Sequence, residues 1–126
     1  MSAGNLPALI GMEVLESRPG RVASRLAIRP VLLAPNGYLH AAAVVALADT
    51  SCGYGTVASA PADARGFTTV ELKANFVGTL REGALACEAT LTHGGRTTQV
   101  WDARVTDEAT GKLLALFRCT QLLLYS

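Results

Sequence analysis

The chain has 126 residues, half of them hydrophobic, and a formal net charge of +1 from eleven basic and ten acidic residues. That length suits one domain with a real core, and the hydrophobic content excludes a disordered linker or tail. The basic residues are scattered, which argues against a nucleic-acid-binding surface, because phosphate contacts need concentrated positive charge.

Residues 1–12 read as a short arm or a helical turn, with Ala8-Leu9-Ile10-Gly11-Met12 as its apolar part. The first seven residues lack the basic start and apolar stretch of a secretory leader. Three cysteines, Cys52, Cys87 and Cys119, are an odd number without short spacing, so they suggest neither a disulfide framework nor a zinc site. A reducing cytoplasm is the expected location.

From Arg21 to Arg29 the pattern alternates. Val22, Ser24, Leu26 and Ile28 lie on one side, and Arg21, Ala23, Arg25, Ala27 and Arg29 on the other. Period two with charge on one side is a half-buried strand, and Glu13–Ser17 is its expected hairpin partner across Arg18-Pro19-Gly20. Pro30 and Pro35 bracket a loop. A helix is expected from about Ala41 to Ala58, favoured by its alanines and weakened by Gly53 and Gly55. The apolar run Ala41–Leu47 is too short to span a membrane and is followed by Asp49.

Gly66 to Val77 alternates again, with Val70, Leu72, Ala74 and Phe76 expected on one face and Thr69, Glu71, Lys73 and Asn75 on the other. Ala84–His93 sets Leu85, Cys87, Ala89 and Leu91 against Ala86, Glu88, Thr90 and Thr92. A turn at His93-Gly94-Gly95-Arg96 leads to a strand over Thr97–Thr106, and a turn at Asp107–Gly111 leads to a last strand over Lys112–Tyr125. That last strand is apolar on both faces, so a central or interfacial place is expected. A sheet of five or six strands curling around one helix would leave the outer sheet face and the last strand apolar. A second subunit is their natural cover.

One constellation carries chemistry. Asp49 is the lone acidic residue in an uncharged run from Leu39 to Ala62, and His40-Ala41-Ala42 opens the same helix. Free amides at a helix start suit a carbonyl oxygen becoming an oxyanion, and a carboxylate can serve as nucleophile or general base. At about 1.5 Å rise per residue, Ala41 and Asp49 lie roughly 12 Å apart, too far to act on one carbonyl. Two such helices packed antiparallel would bring Asp49 of one copy to the helix start of the other. An acyl-transfer site built from these residues is therefore a dimer site. His40 by itself reads as a helix-start residue bonded to backbone. The only other histidine is His93, in a turn, and no metal-ligand spacing is present. Cys52 lies near Asp49 but has no base, and reads as a small buried thiol.

The ordered set Asn36-Gly37-x-Leu39-His40-Ala41-Ala42, Leu47-Ala48-Asp49-Thr50, Thr69-Val70-Glu71-Leu72-Lys73-Ala74-Asn75-Phe76, Gly95-Arg96-Thr97-Thr98 and Thr110-Gly111-Lys112-Leu113 resembles the hotdog-fold acyl-CoA thioesterases. The branch it resembles most contains the phenylacetate-pathway and 4-hydroxybenzoyl-CoA thioesterases. The resemblance spans about residues 8–124. No single piece is specific; the order and spacing are. It implies an α+β hotdog fold, a curved antiparallel sheet around one long helix. It also implies homodimers joined sheet edge to sheet edge, often paired into dimers of dimers.

Asp49 falls on the family's catalytic acidic position, and Ala41 on a glycine whose N–H polarises the thioester carbonyl. Asn36 lies near an Asn/Gln position that holds substrate or the attacking water, although the loop here is two residues shorter. His40 belongs to the same catalytic stretch. Thr69 matches a Ser/Thr position near the site, and Arg96 lies where the family often contacts the nucleotide of coenzyme A. Gly37 and Thr97 fall in the same matched stretches and join the substrate-binding set. The resemblance implies no metal or redox cofactor; coenzyme A arrives as part of the substrate.

One departure stands out. The family usually reads His-Gly-Gly where this chain has His40-Ala41-Ala42. Alanine keeps the N–H if φ is negative, but two methyls narrow the pocket mouth. The expected activity is hydrolysis of an aryl- or medium-chain acyl-CoA. The rivals are a hotdog hydratase or dehydratase, which usually pairs a catalytic histidine with its acid, a non-catalytic acyl-CoA-binding module, and a plain structural dimer.

Overall fold

The computed structural model describes residues 4–126. Chain order runs α1 (Leu6–Ile10), β1 (Met12–Arg18), β2 (Arg21–Ala27), a 3₁₀ turn (Pro30–Leu32) and α2 (Ala41–Ser59), followed by β3 (Gly66–Phe76), β4 (Ala84–Gly94), β5 (Thr98–Asp107) and β6 (Leu113–Leu124). The six strands form one sheet in the order β1-β2-β4-β5-β6-β3, antiparallel at every pairing. α2 contacts all six strands, so the sheet wraps the helix, as the resemblance implies.

The core lies between helix and sheet. Val22 and Leu26 of β2, Leu85 and Ala89 of β4, Trp101 and Val105 of β5, and Cys119 of β6 are sealed against Leu47, Ala48 and Cys52 of α2. The strand period places these side chains: β2 alternates buried Val22, Ser24 and Leu26 with half-buried Arg21, Ala23, Arg25 and Ala27. Ser24 is buried because the Ser51 hydroxyl of α2 meets its own at 2.7 Å. All three cysteines are buried free thiols. The neighbouring Cys119 thiol, with burial, pushes the Cys52 thiol far up, and burial pushes Cys87 up to about 11.

α2 is long and apolar enough to pass as a membrane span by composition, but the strands enclose it and it serves as the core helix. It starts where His40, in extended backbone, caps the first turn, and it ends before Ala60-Pro61. Gly53 and Gly55, which each cost helix stability, have a packing reason. A Cβ on Gly55 would fall 2.7 Å from Trp101 Cζ3, and one on Gly53 would fall 3.3 Å from Phe67 Cζ.

Two expectations fail. In β3 the pairing register shifts between Thr69 and Glu71, with Thr69 opposite Gln121 and Leu72 opposite Cys119. Val70 is the extra residue of a bulge, so Thr69 shares the helix-facing side with Leu72, Ala74 and Phe76 rather than opposing them. The second concerns the outer sheet face, which is charged rather than apolar. Arg25 pairs with Glu13 and Glu108, Arg21 with Glu16 and Glu88, and Arg118 with Asp102. Leu116, Leu122 and Leu124 are the exposed apolar side chains of β6 on that face. β6 itself is central, paired on both sides. Exposed apolar surface gathers instead along β3 at Val70, Leu72 and Phe76 and just beyond it at Val77, on a strand paired along one edge only.

Candidate active site

Asp49 sits in the third turn of α2, half-buried, with Oδ1 sealed from solvent and without a hydrogen-bond partner among the described residues. Burial raises its carboxyl above the ordinary aspartate range. It faces a cavity of about 320 Å³ that it lines with Thr50, Gly53, Tyr54 and Val57 of α2, Phe67 and Thr69 of β3, and Asn5 and Pro7. The bulge at Val70 puts Thr69 in that wall. Its hydroxyl donates to Gln121 Oε1 at 2.6 Å, so its lone pairs remain available as acceptors. Gln121 is fully buried, and its Nε2 is the second sealed polar atom without a partner among the described residues.

The helix start is a separate place. The Ala42 N–H donates to His40 Nδ1 at 3.0 Å, so His40 acts as the cap that its position suggests. The His40 N–H donates to Leu32 O and the Leu39 N–H to Leu80 O, which ties the loop down. No non-glycine residue among those described has positive φ. Ala41 and Ala42 therefore take their helical backbone without strain, and the Ala41 N–H meets no acceptor among the described residues. His40, Ala42 and Ala43 line a second groove of about 300 Å³ with Leu6, Ile10 and Val31. A single chain thus keeps Asp49 and Ala41 apart, as the spacing requires.

The remaining expected residues are placed as follows. Asn36 Oδ1 accepts from the Tyr38 N–H at 3.1 Å, and Gly37 has φ +86°, so both build the turn before α2. Arg96 makes its contacts away from the Asp49 cavity. It donates to both Asp63 oxygens at 3.0 and 2.7 Å and lies 4.3 Å over the Tyr125 ring, and this pairing lowers the Asp63 carboxyl. Thr97 is exposed, and its carbonyl accepts from the Leu123 N–H. Neither Arg96 nor Thr97 lines the Asp49 cavity.

Sequence reading missed Tyr54, Phe67 and Gln121. Tyr54 lies five residues after Asp49, about 140° round the helix, so spacing alone does not pair it with the carboxylate; Phe67 and Gln121 come into place only through strand pairing. Among the described residues no group of histidine, cysteine or acidic side chains is arranged to hold a metal.

Residues 36–114 match the thioesterase superfamily model. The chain is 34% identical to a 1,4-dihydroxy-2-naphthoyl-CoA hydrolase of Listeria monocytogenes, over 91% of this chain and 92% of that one. It is 31% identical to the putative esterase ComA2 of Bacillus subtilis, over 88% and 87%. Among solved structures, a thioesterase of Pseudomonas aeruginosa superposes with a TM-score of 0.89 at 26% identity, covering 96% of this chain and 86% of that one. The Escherichia coli PaaI protein of the phenylacetic acid degradation operon, at 19% identity, has a TM-score of 0.85 over 94% and 83%, and shows the shared fold. With the family model spanning both the helix start and Asp49, this hotdog-fold chain belongs to the thioesterase superfamily.

Proposed function

We propose that this acyl-CoA thioester hydrolase acts on an aryl-CoA, releasing the free acid and coenzyme A, at a site completed by a second copy of the chain. The observation that carries the reading is Asp49, a carboxylate with one sealed oxygen in a cavity that also holds an aromatic wall, Tyr54 and Phe67. Desolvation makes such a carboxylate a stronger base than one in water. The Listeria relative is named for an aromatic acyl group, which favours an aryl substrate over a medium chain.

Asp49 serves as general base or as nucleophile. In the first case it takes a proton from water while the water oxygen adds to the thioester carbon. The C–S bond then breaks, and the coenzyme A thiolate leaves to take up a proton. The oxyanion forms at the Ala41 N–H of the partner subunit, a donor worth about 3–4 kcal/mol in comparable sites. The unpaired β3 edge, with Leu72 and Phe76 exposed farther along the strand that supplies Phe67 and Thr69 to this cavity, supports a dimer joined there.

A free-thiol assay across aryl, short and long acyl-CoAs, on wild type and Asp49→Asn, tests the reading. Wild type is expected to prefer aryl substrates, and Asp49→Asn to lose about 10²–10⁴-fold in kcat while staying folded. Undiminished turnover by the variant would sink the assignment. Thiol release also separates hydrolysis from a hydratase or dehydratase, whose histidine is here turned into a helix cap. Tight binding without turnover would mark a binding module.

A further inference from the structure

We propose that Phe67 is a partition that sets how long an acyl group the site accepts. The inference rests on the reading that acyl-CoA occupies the Asp49 cavity. A second cavity of about 310 Å³ continues past the end of α2, walled by Ala60, Ala62, Ala64 and Gly66, with Arg65 at its lining. The two cavities share two residues only, Val57 and Phe67. Val57 is two-thirds exposed and sits at the rim, which leaves Phe67 as the wall between them.

Geometry gives that wall its depth. Phe67 pairs with buried Leu123 on β6 and so points toward the helix. Its ring reaches across to α2, where a Cβ on Gly53 would lie 3.3 Å from Cζ. Glycine at 53 thus lets the ring bridge sheet and helix. On the near side, Phe67 and Tyr54 offer faces to a flat acyl group. On the far side the walls are largely apolar, with Thr56 and Arg65 as the polar side chains and no carboxylate, and leave room for an extended hydrocarbon chain. The protein therefore carries a second apolar space for a long chain, set off from the first by its own Phe67 side chain. Cutting that side chain back would roughly double the room open to the acyl group.

The test compares hydrolysis of benzoyl-CoA, hexanoyl-CoA and decanoyl-CoA by wild type, Phe67→Ala, Phe67→Leu, and Phe67→Ala combined with Ala64→Leu, which refills the far cavity. In Phe67→Ala the kcat/KM ratio of decanoyl-CoA to benzoyl-CoA should rise about tenfold or more, the discrimination that one or two methylenes carry in an apolar pocket. The change should appear mainly in KM. Phe67→Leu should shift the ratio part of the way, and provides the readout if the alanine variant does not fold. Adding Ala64→Leu should return the ratio toward wild type. A folded Phe67 variant with an unchanged ratio, or a shift that Ala64→Leu does not reverse, overturns the partition. Binding of the matching S-alkyl coenzyme A thioethers to the same variants reads the same selectivity without turnover. An inactive wild type whose thioether selectivity still moves with Phe67 would therefore defeat the hydrolase reading and keep the partition.

Discussion

Asp49 holds a carboxylate where water reaches only part of it, and its pH behaviour follows from that. Burial raises its pKa in the folded chain, so the native state binds its proton more tightly than the unfolded state does. This contribution to stability is present below the ordinary aspartate pKa. It is lost as pH rises through the raised value, leaving a fixed penalty at neutral pH. Asp49→Asn should therefore raise the thermal midpoint at pH 7, and its advantage should shrink as pH falls toward 4; equal midpoints at pH 7 would contradict this. The acid limb of kcat/KM should lie above the ordinary aspartate range, because hydrolysis needs the ionised form. Thr69 makes a second test. Thr69→Val strips Gln121, buried and already short of one partner, of its remaining contact. It should cost about 1–3 kcal/mol in urea unfolding, with Thr69→Ser close to wild type.

At the scale of elements, α2 and β3 carry the site through features that look like flaws. Gly53 and Gly55 lower helix propensity in the last turns, yet each admits an aromatic ring from the sheet. The Trp101 ring cannot yield, because it is fully buried and its Nε1–H donates to Gln99 Oε1 at 2.7 Å. Gly55→Ala should therefore destabilise by about 1–3 kcal/mol or more through overpacking, although the same exchange in an exposed helix would stabilise it. A lower denaturant midpoint at an unchanged m-value would show the loss of stability. The bulge in β3 acts likewise: one extra residue at Val70 lets Thr69 face the cavity and Leu72, Ala74 and Phe76 face the helix side as well.

For the whole molecule, the charged outer face and the apolar β3 edge assign different fates to the two surfaces. Arg–Glu ladders on the outer face stand in water and contribute little to stability. The β3 edge has unpaired backbone groups and exposed Leu72 and Phe76, the combination that another strand edge would cover. If the proposed dimer joins at this edge, Leu72→Lys should leave the chain monomeric in sedimentation velocity and lower kcat/KM in parallel. A monomeric variant with full activity would overturn the shared site. Arg96 belongs to this scale as well. Its guanidinium pairs with Asp63, 33 residues away in the chain, and ties the loop after α2 to the turn before β5.

The sequence by itself determined the strand–helix–strand order, the extent of α2 within a residue or so, the face of β2 and β4 that is buried, and the separation of Asp49 from Ala41. These depend on period and rise, which are local. Only the tertiary structure decided that Thr69 joins the carboxylate in one cavity, that Gln121 stands behind it, that Phe67 divides two cavities and that Arg96 pairs with Asp63. Each of these depends on register between strands distant in the chain, and one bulge residue reverses a face without changing the composition that a reader of the sequence sees.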